Sequence, residues 1–157
     1  DAGPEVCARL CLEITETAAV THMGDARRFV MAARALGVRI ALDDFGAGAS
    51  SFGYLKQLPV DILKIDRSFV SGVDTNPDLQ KFTSALINLA KSLDIGVLAE
   101  GVETTGERDW LRRNGCDVIQ GFLISKAVPE TELGAMILKQ NFLVPQTPNS
   151  SQKSATA

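Results

Sequence analysis

The chain has 157 residues, of which 45% are hydrophobic and 22% charged, and its formal net charge is −3. That size and apolar fraction suit one domain with a real core, while 16 basic against 19 acidic residues exclude the cationic excess that grips nucleic acid by counterion release. No run approaches the roughly 18–20 apolar residues of a bilayer span, and no charged-then-apolar leader opens the chain.

The chain starts at Asp1, not Met, which reads as a piece of something longer. Residues 8–16 (ARLCLEITE) alternate as a strand, with Leu10, Leu12 and Ile14 on one face and Cys11, Glu13 and Thr15 on the other. His22 follows in a turn-like stretch and reads as a solvated side chain. Asp25 to Leu36 carries a helical stripe of Phe29, Val30, Ala33 and Leu36, stopped by Gly37. Val38 to Asp43 is the next strand, followed by a Gly- and Ser-rich loop and a short helix from Phe52 to Leu58. Val60 to Ile65 is a strand. Asn76 and Pro77 are the cap and first residue of a helix that runs to Leu93. Ile95 to Ala99 is a strand, Thr105 to Asn114 a helix stopped by Gly115, Asp117 to Gln120 a short strand, and Glu130 to Lys139 a closing helix.

Five strands, each followed by a helix, predict an α/β protein with a parallel sheet and right-handed crossovers. Residues 1–142 are expected to hold it, and the polar stretch 143–157 is expected to be a disordered tail. Periodicity does not choose between an open doubly wound sheet and part of a (β/α)8 barrel. The polar residues ending the strands recur about every 27 positions, so eight units would need about 215 residues, near the lower range of barrels. Cys7, Cys11 and Cys116 are odd in number and form no CxxC pair. They read as small buried hydrophobes in a reducing, cytoplasmic setting, and with one His they are too few for zinc.

The chemistry gathers at the strand ends. Glu13, Asp43, Lys64, Glu100 and Gln120 each close an apolar run, and parallel α/β sheets collect such ends around one mouth. An ionised group at the edge of a core is costly unless paired or bound to metal. For a single residue the plainer reading is a helix cap or local salt bridge; five in succession argue for a site. Asp43 and Asp44 are adjacent, so on extended backbone their carboxylates diverge, although a turn there would let both reach a cation. The rival role for Asp44 is to satisfy the amides of the Gly-rich loop. Oxygen donors dominate, which selects Mg²⁺ or Mn²⁺, and a lysine beside them suits two-metal phosphodiester hydrolysis.

LEITET, DDFGAGASSFGYLKQLPVDILKIDRSFV, LAEGVET and VIQGFLISKAVP, in this order and spacing, closely resemble the EAL-domain family of cyclic di-GMP phosphodiesterases over about residues 9–129. The resemblance implies a TIM-like barrel, of which this chain supplies about five βα units. It also implies hydrolysis of cyclic di-GMP to the linear dinucleotide pGpG with two Mg²⁺ or Mn²⁺ ions. It implies Glu13 as a ligand of the first metal, Asp43 as the bridge, and Asp44 and Glu100 as ligands of the second. By the same resemblance Lys64 holds the attacking water and the developing phosphate charge. Glu16 and Glu103 steady the Gly-rich loop and the outer site, and Gln120 positions solvent or substrate. The Glu-Ala-Leu triplet that names the family is absent from these residues, as is the family's Asn ligand; both are expected upstream. The alternatives are an inactive barrel that binds cyclic di-GMP as a receptor, and an inactive fragment stabilised by pairing. Regulatory domains elsewhere in the protein, and a possible homodimer, complete the expectation.

Overall fold

The computed structural model describes residues 3–46 and 52–139. The chain divides into two compact units, Asp1–Ile124 and Ser125–Ala157. The first contains, in order, α1 (Gly3–Cys7), β1 (Cys11–Thr15), α2 (Glu16–Thr21), α3 (Met23–Ala35), β2 (Arg39–Phe45) and a 3₁₀ turn over Phe52–Gln57. It continues with β3 (Ile62–Ile65), α4 (Arg67–Val70), α5 (Pro77–Ser92), β4 (Gly96–Ala99), α6 (Thr105–Arg113) and β5 (Val118–Ile119). In the second unit the described element is α7 (Glu130–Lys139). The expected tail and most of the Gly-rich loop lie outside the described residues.

The five strands form one parallel sheet in the order β1-β2-β3-β4-β5. That order resolves the ambiguity left by periodicity. A doubly wound sheet reverses its strand order at a switch point, whereas strands laid down in sequence make the arc of a barrel. Alternation along each strand sends Ile40, Leu42, Leu63, Ile65, Val97 and Ala99 into the core. There they meet Val30 and Ala33 of α3, Leu86, Ile87 and Ala90 of α5, and Trp110 and Leu111 of α6. The opposite alternation aligns Glu13, Ala41, Asp43, Lys64 and Leu98 on the other face.

The helix boundaries follow from their caps. Asn76 Oδ1 accepts from the amides of Asp78 and Leu79 ahead of Pro77, and Gly37 and Gly115 end their helices at positive φ. Three short helices escape the sequence pattern: α1, α2 and α4 are too brief to show a 3.6-residue period. Their signals are local. Thr15 caps α2 by accepting from Ala18, and Asp66 caps α4 by accepting from Ser68. Glu16 therefore opens a helix, whereas the expected strand ran through it. Two further expectations are corrected. Phe29 and Leu36 are exposed, so the buried stripe of α3 narrows to Val30 and Ala33. Cys11 is exposed because β1 is an edge strand, although Cys7 and Cys116 are partly buried and all three are free thiols. Burial pushes the Cys116 thiol up to about 11, which keeps it protonated and inert.

At the end of the sheet opposite the predicted site, a device recurs. The Asp61 amide donates to Ile40 O while its Oδ2 accepts from Ile40 N at 2.8 Å. Asp117 treats Val97 the same way, its Oδ2 accepting from Val97 N at 2.8 Å. Asp61 is also paired with Arg34 at 3.1 Å. Asp61→Ala leaves the Ile40 amide without this acceptor and should cost about 1–3 kcal/mol, read as a lower midpoint in urea denaturation. An unchanged midpoint would remove Asp61 from the determinants of sheet stability.

Candidate active site

The C-terminal ends of β1, β2, β3 and β4 bring Glu13, Asp43, Asp44, Lys64 and Glu100 together. Lys64 is the hub and is only 4% exposed. Its Nζ lies 2.8 Å from Glu13, 2.8 Å from Asp43 and 2.7 Å from Glu100. Burial works against its charge, but hydrogen bonds to Asp43, Glu100 and Glu13 outweigh that cost and hold the ammonium well above the ordinary lysine value. The lysine is cationic at any physiological pH.

The two adjacent aspartates share this site through a backbone irregularity. Leu42 pairs with Leu63 and Phe45 with Ile65, so Asp43 and Asp44 together oppose Lys64 alone. This is a β-bulge, and Asp44 sits at φ 57°, a left-handed conformation that Asp adopts more readily than most residues. The extra residue abolishes the divergence that an extended strand imposes. Carboxylate oxygens of Asp43, Asp44 and Glu100 come within 4.8 Å of one another. This donor set fits a hard divalent cation: it is all oxygen, anionic and gathered at one point, and no His or Cys joins it among the described residues.

The remaining predicted residues surround this centre. Glu16 is buried, and its Oε2 accepts from the Gly46 amide at 3.0 Å, immediately after the Asp-Asp-Phe strand end. Beside Glu16 lies Tyr54; burial, then the Glu16 charge, push its phenol well above the usual tyrosine value. Gly46, at φ +94°, has no room for a side chain, since a Cβ there would stand 2.9 Å from the Phe69 ring. Glu103 pairs with Arg67 at 2.8 Å. Gln120, exposed after β5, shares a pocket of about 270 Å³ with Glu100, Glu103, Arg67 and Phe122. The pocket opens next to the carboxylate cluster, because Glu100 belongs to both.

Two residues of this shell are not evident from the strand-end pattern. Arg67 packs its stem across Gly101, where a Cβ would stand 2.4 Å from Arg67 Cγ, and so fixes the Glu100–Glu103 turn. Glu107 is buried and accepts from the amides of Gly72, Glu103 and Thr104. Its signal was available in the sequence as Thr104-x-x-Glu107, a capping box. Burial opposes the Glu107 charge, but the three backbone amides and the Thr104 hydroxyl outweigh it and hold the carboxyl below the usual glutamate value. A depressed carboxyl contributes stability above its unfolded pKa and loses it as pH falls through the folded pKa. Stability should therefore fall as pH drops below about 4.5 in the wild type, and fall less in Glu107→Gln. Denaturant midpoints at pH 7 and in the acid range check this; parallel acid losses in both proteins would refute it.

A family model for the EAL domain matches residues 1–127 of the chain. The cyclic di-GMP phosphodiesterase NbdA of Pseudomonas aeruginosa is 38% identical over 141 residues, which is 90% of this chain and 18% of NbdA. The crystal structure of the EAL domain of Mycobacterium smegmatis DcpA aligns with a TM-score of 0.77 at 43% identity, covering 82% of this chain and 58% of that one. A manganese and cyclic di-GMP complex of Klebsiella pneumoniae BlrP1 aligns with a TM-score of 0.72 at 34% identity, covering 76% of this chain and 31% of that one. The chain thus spans under a fifth of NbdA and little more than half of the DcpA domain.

Proposed function

The chain belongs to the EAL domain family, whose structures are TIM-like barrels, and on that premise we propose that the protein hydrolyses one phosphodiester bond of cyclic di-GMP, releasing pGpG, with two Mg²⁺ or Mn²⁺ ions. The observation that carries this reading is the convergence of Glu13, Asp43 and Glu100 on Lys64, with Asp44 gathered beside Asp43 and Glu100, at the ends of four parallel strands. In this reading Glu13 and Asp43 would hold one ion and Asp44 and Glu100 the other, with Asp43 shared between them. Divalent ions so held would activate an attacking water and offset phosphate charge. Lys64 presents its ammonium to charge developing on the phosphate, where a fixed donor acts chiefly in the transition state. Gln120, with the Arg67–Glu103 pair, frames the nucleotide beside the ions. Glu16 holds the Gly46 backbone and with it the start of the Gly-rich loop.

The complex of BlrP1 with manganese and cyclic di-GMP supports both the ion class and the ligand. Regulatory domains in the intact protein accord with the length of the relatives. Among the described residues no helix is long and apolar enough to cross a membrane. The test is chromatography of cyclic di-GMP incubated with the intact protein, with Mg²⁺, with Mn²⁺ and with excess chelator. Metal-dependent appearance of pGpG is expected. Binding without turnover at saturating metal would replace the enzyme by the receptor.

A further inference from the structure

We infer that the Lys64 ammonium is a resident cation that holds the metal-free site together, and that entry of a divalent ion must release it from its carboxylates before it can meet a substrate. The inference takes the class of ion from the phosphodiesterase reading but does not depend on turnover. It follows from counting donors. An ammonium has three N–H groups and no acceptor, and Lys64 spends them on three carboxylates carried by three different strands, at 2.8, 2.8 and 2.7 Å. No donor remains for a water or a phosphate oxygen.

Two of those partners, Asp43 and Glu100, also belong to the cluster whose oxygens lie within 4.8 Å of one another. A divalent ion placed there draws on two of the carboxylates that Lys64 is holding and repels the ammonium at close range. Ion and lysine therefore compete for the same carboxylates, and the ion that fills the site also frees the lysine. Before the ion arrives, Lys64 offsets part of the repulsion among the acidic groups. This accounts for a buried lysine at the centre of a site built for a stronger cation.

The experiment compares the wild-type intact protein with Lys64→Met. Mn²⁺ affinity, by calorimetry or by the electron paramagnetic resonance signal of the free ion, should be tighter in Lys64→Met by about tenfold or more. Its metal-free melting temperature should fall, and its stabilisation by Mn²⁺ should exceed that of wild type. Equal or weaker Mn²⁺ binding in the variant would overturn the inference, as would a wild-type protein that binds neither Mn²⁺ nor Mg²⁺. Should Lys64→Met fail to fold, the wild type decides the matter through the ¹⁵N signal of the Lys64 ammonium during Mg²⁺ titration. A change in its shift or solvent exchange that tracks ion saturation is expected; an unaltered signal at saturation would refute the inference. Coupled lysine release without cyclic di-GMP hydrolysis would sink the phosphodiesterase reading and leave this one standing.

Discussion

Asp43→Asn in the intact protein should lower cyclic di-GMP turnover by about 10³-fold or more while leaving the melting temperature close to wild type. Asp43 and Glu100 both bond Lys64, at 2.8 and 2.7 Å, and both belong to the Asp43–Asp44–Glu100 cluster. In the proposed reading Asp43 is the one of the two that would be shared between the ions. Asparagine keeps the shape and retains a carbonyl oxygen that can accept from Lys64, so the packing around the bulge is not disturbed. What it loses is the negative charge and the second oxygen that a bridging ligand needs. The two effects separate cleanly in experiment. Steady-state kinetics over a metal titration should show low turnover at every metal concentration, and calorimetry should show weaker Mn²⁺ binding. Retention of more than about a tenth of wild-type turnover at saturating metal would remove Asp43 from the bridging position.

The reason Asp43 can do this illustrates what was legible in the sequence and what was not. Strand alternation put Glu13 on the face opposite Leu12 and Ile14, and turn chemistry gave the caps of α5 and the stop of α3; both are short-range properties that a sequence displays directly. The convergence of four strand ends, with Gln120 after β5 in the pocket beside them, was legible for the same reason, since parallel strands must end on the same side. The pairing of Asp43 with Asp44 was legible only as an open alternative, a turn at the strand end. Two consecutive residues on an ideal strand face apart, and only the bulge opposite Lys64, with Asp44 at φ 57°, reverses that. A bulge is a property of two strands in register, so one strand's pattern does not announce it. Strand order, likewise, is tertiary and decided between arc and doubly wound sheet only once pairing was seen. Glu107 and Arg67 were overlooked for a different reason. Arg67 packs on Gly101 and Glu107 reaches the Gly72 amide, both contacts distant in sequence, although the local Thr104–Glu107 capping box is a short-range signal. The side-chain pattern of strand ends holds no trace of them.

Residues 1–157 expressed alone should associate, or melt without cooperativity, and should show no measurable hydrolysis of cyclic di-GMP. Among the described residues β1 pairs only with β2, and β5 only with β4, so both edges of the sheet present unpaired backbone donors and acceptors. The flanks of these edges are apolar: Leu10 and Leu12 are 45% and 40% exposed beside β1, and Val118 is 46% exposed on β5. A closed barrel has no edges, and the DcpA domain extends well beyond the 58% of its chain that aligns here. The same open arc weakens the chemistry. By family resemblance the first ion takes two further ligands, a Glu and an Asn, that these residues do not contain, and Glu13 and Asp43 alone leave a hard cation mostly hydrated. Lys64, bonded to three carboxylates, would then keep its place, and the site would rest in its lysine-filled form. Sedimentation, thermal melting and chromatography of the 157-residue chain test these statements together. A monodisperse, cooperatively melting monomer that cleaves cyclic di-GMP would overturn them, and would mean that five strands can organise both ions without the rest of a barrel.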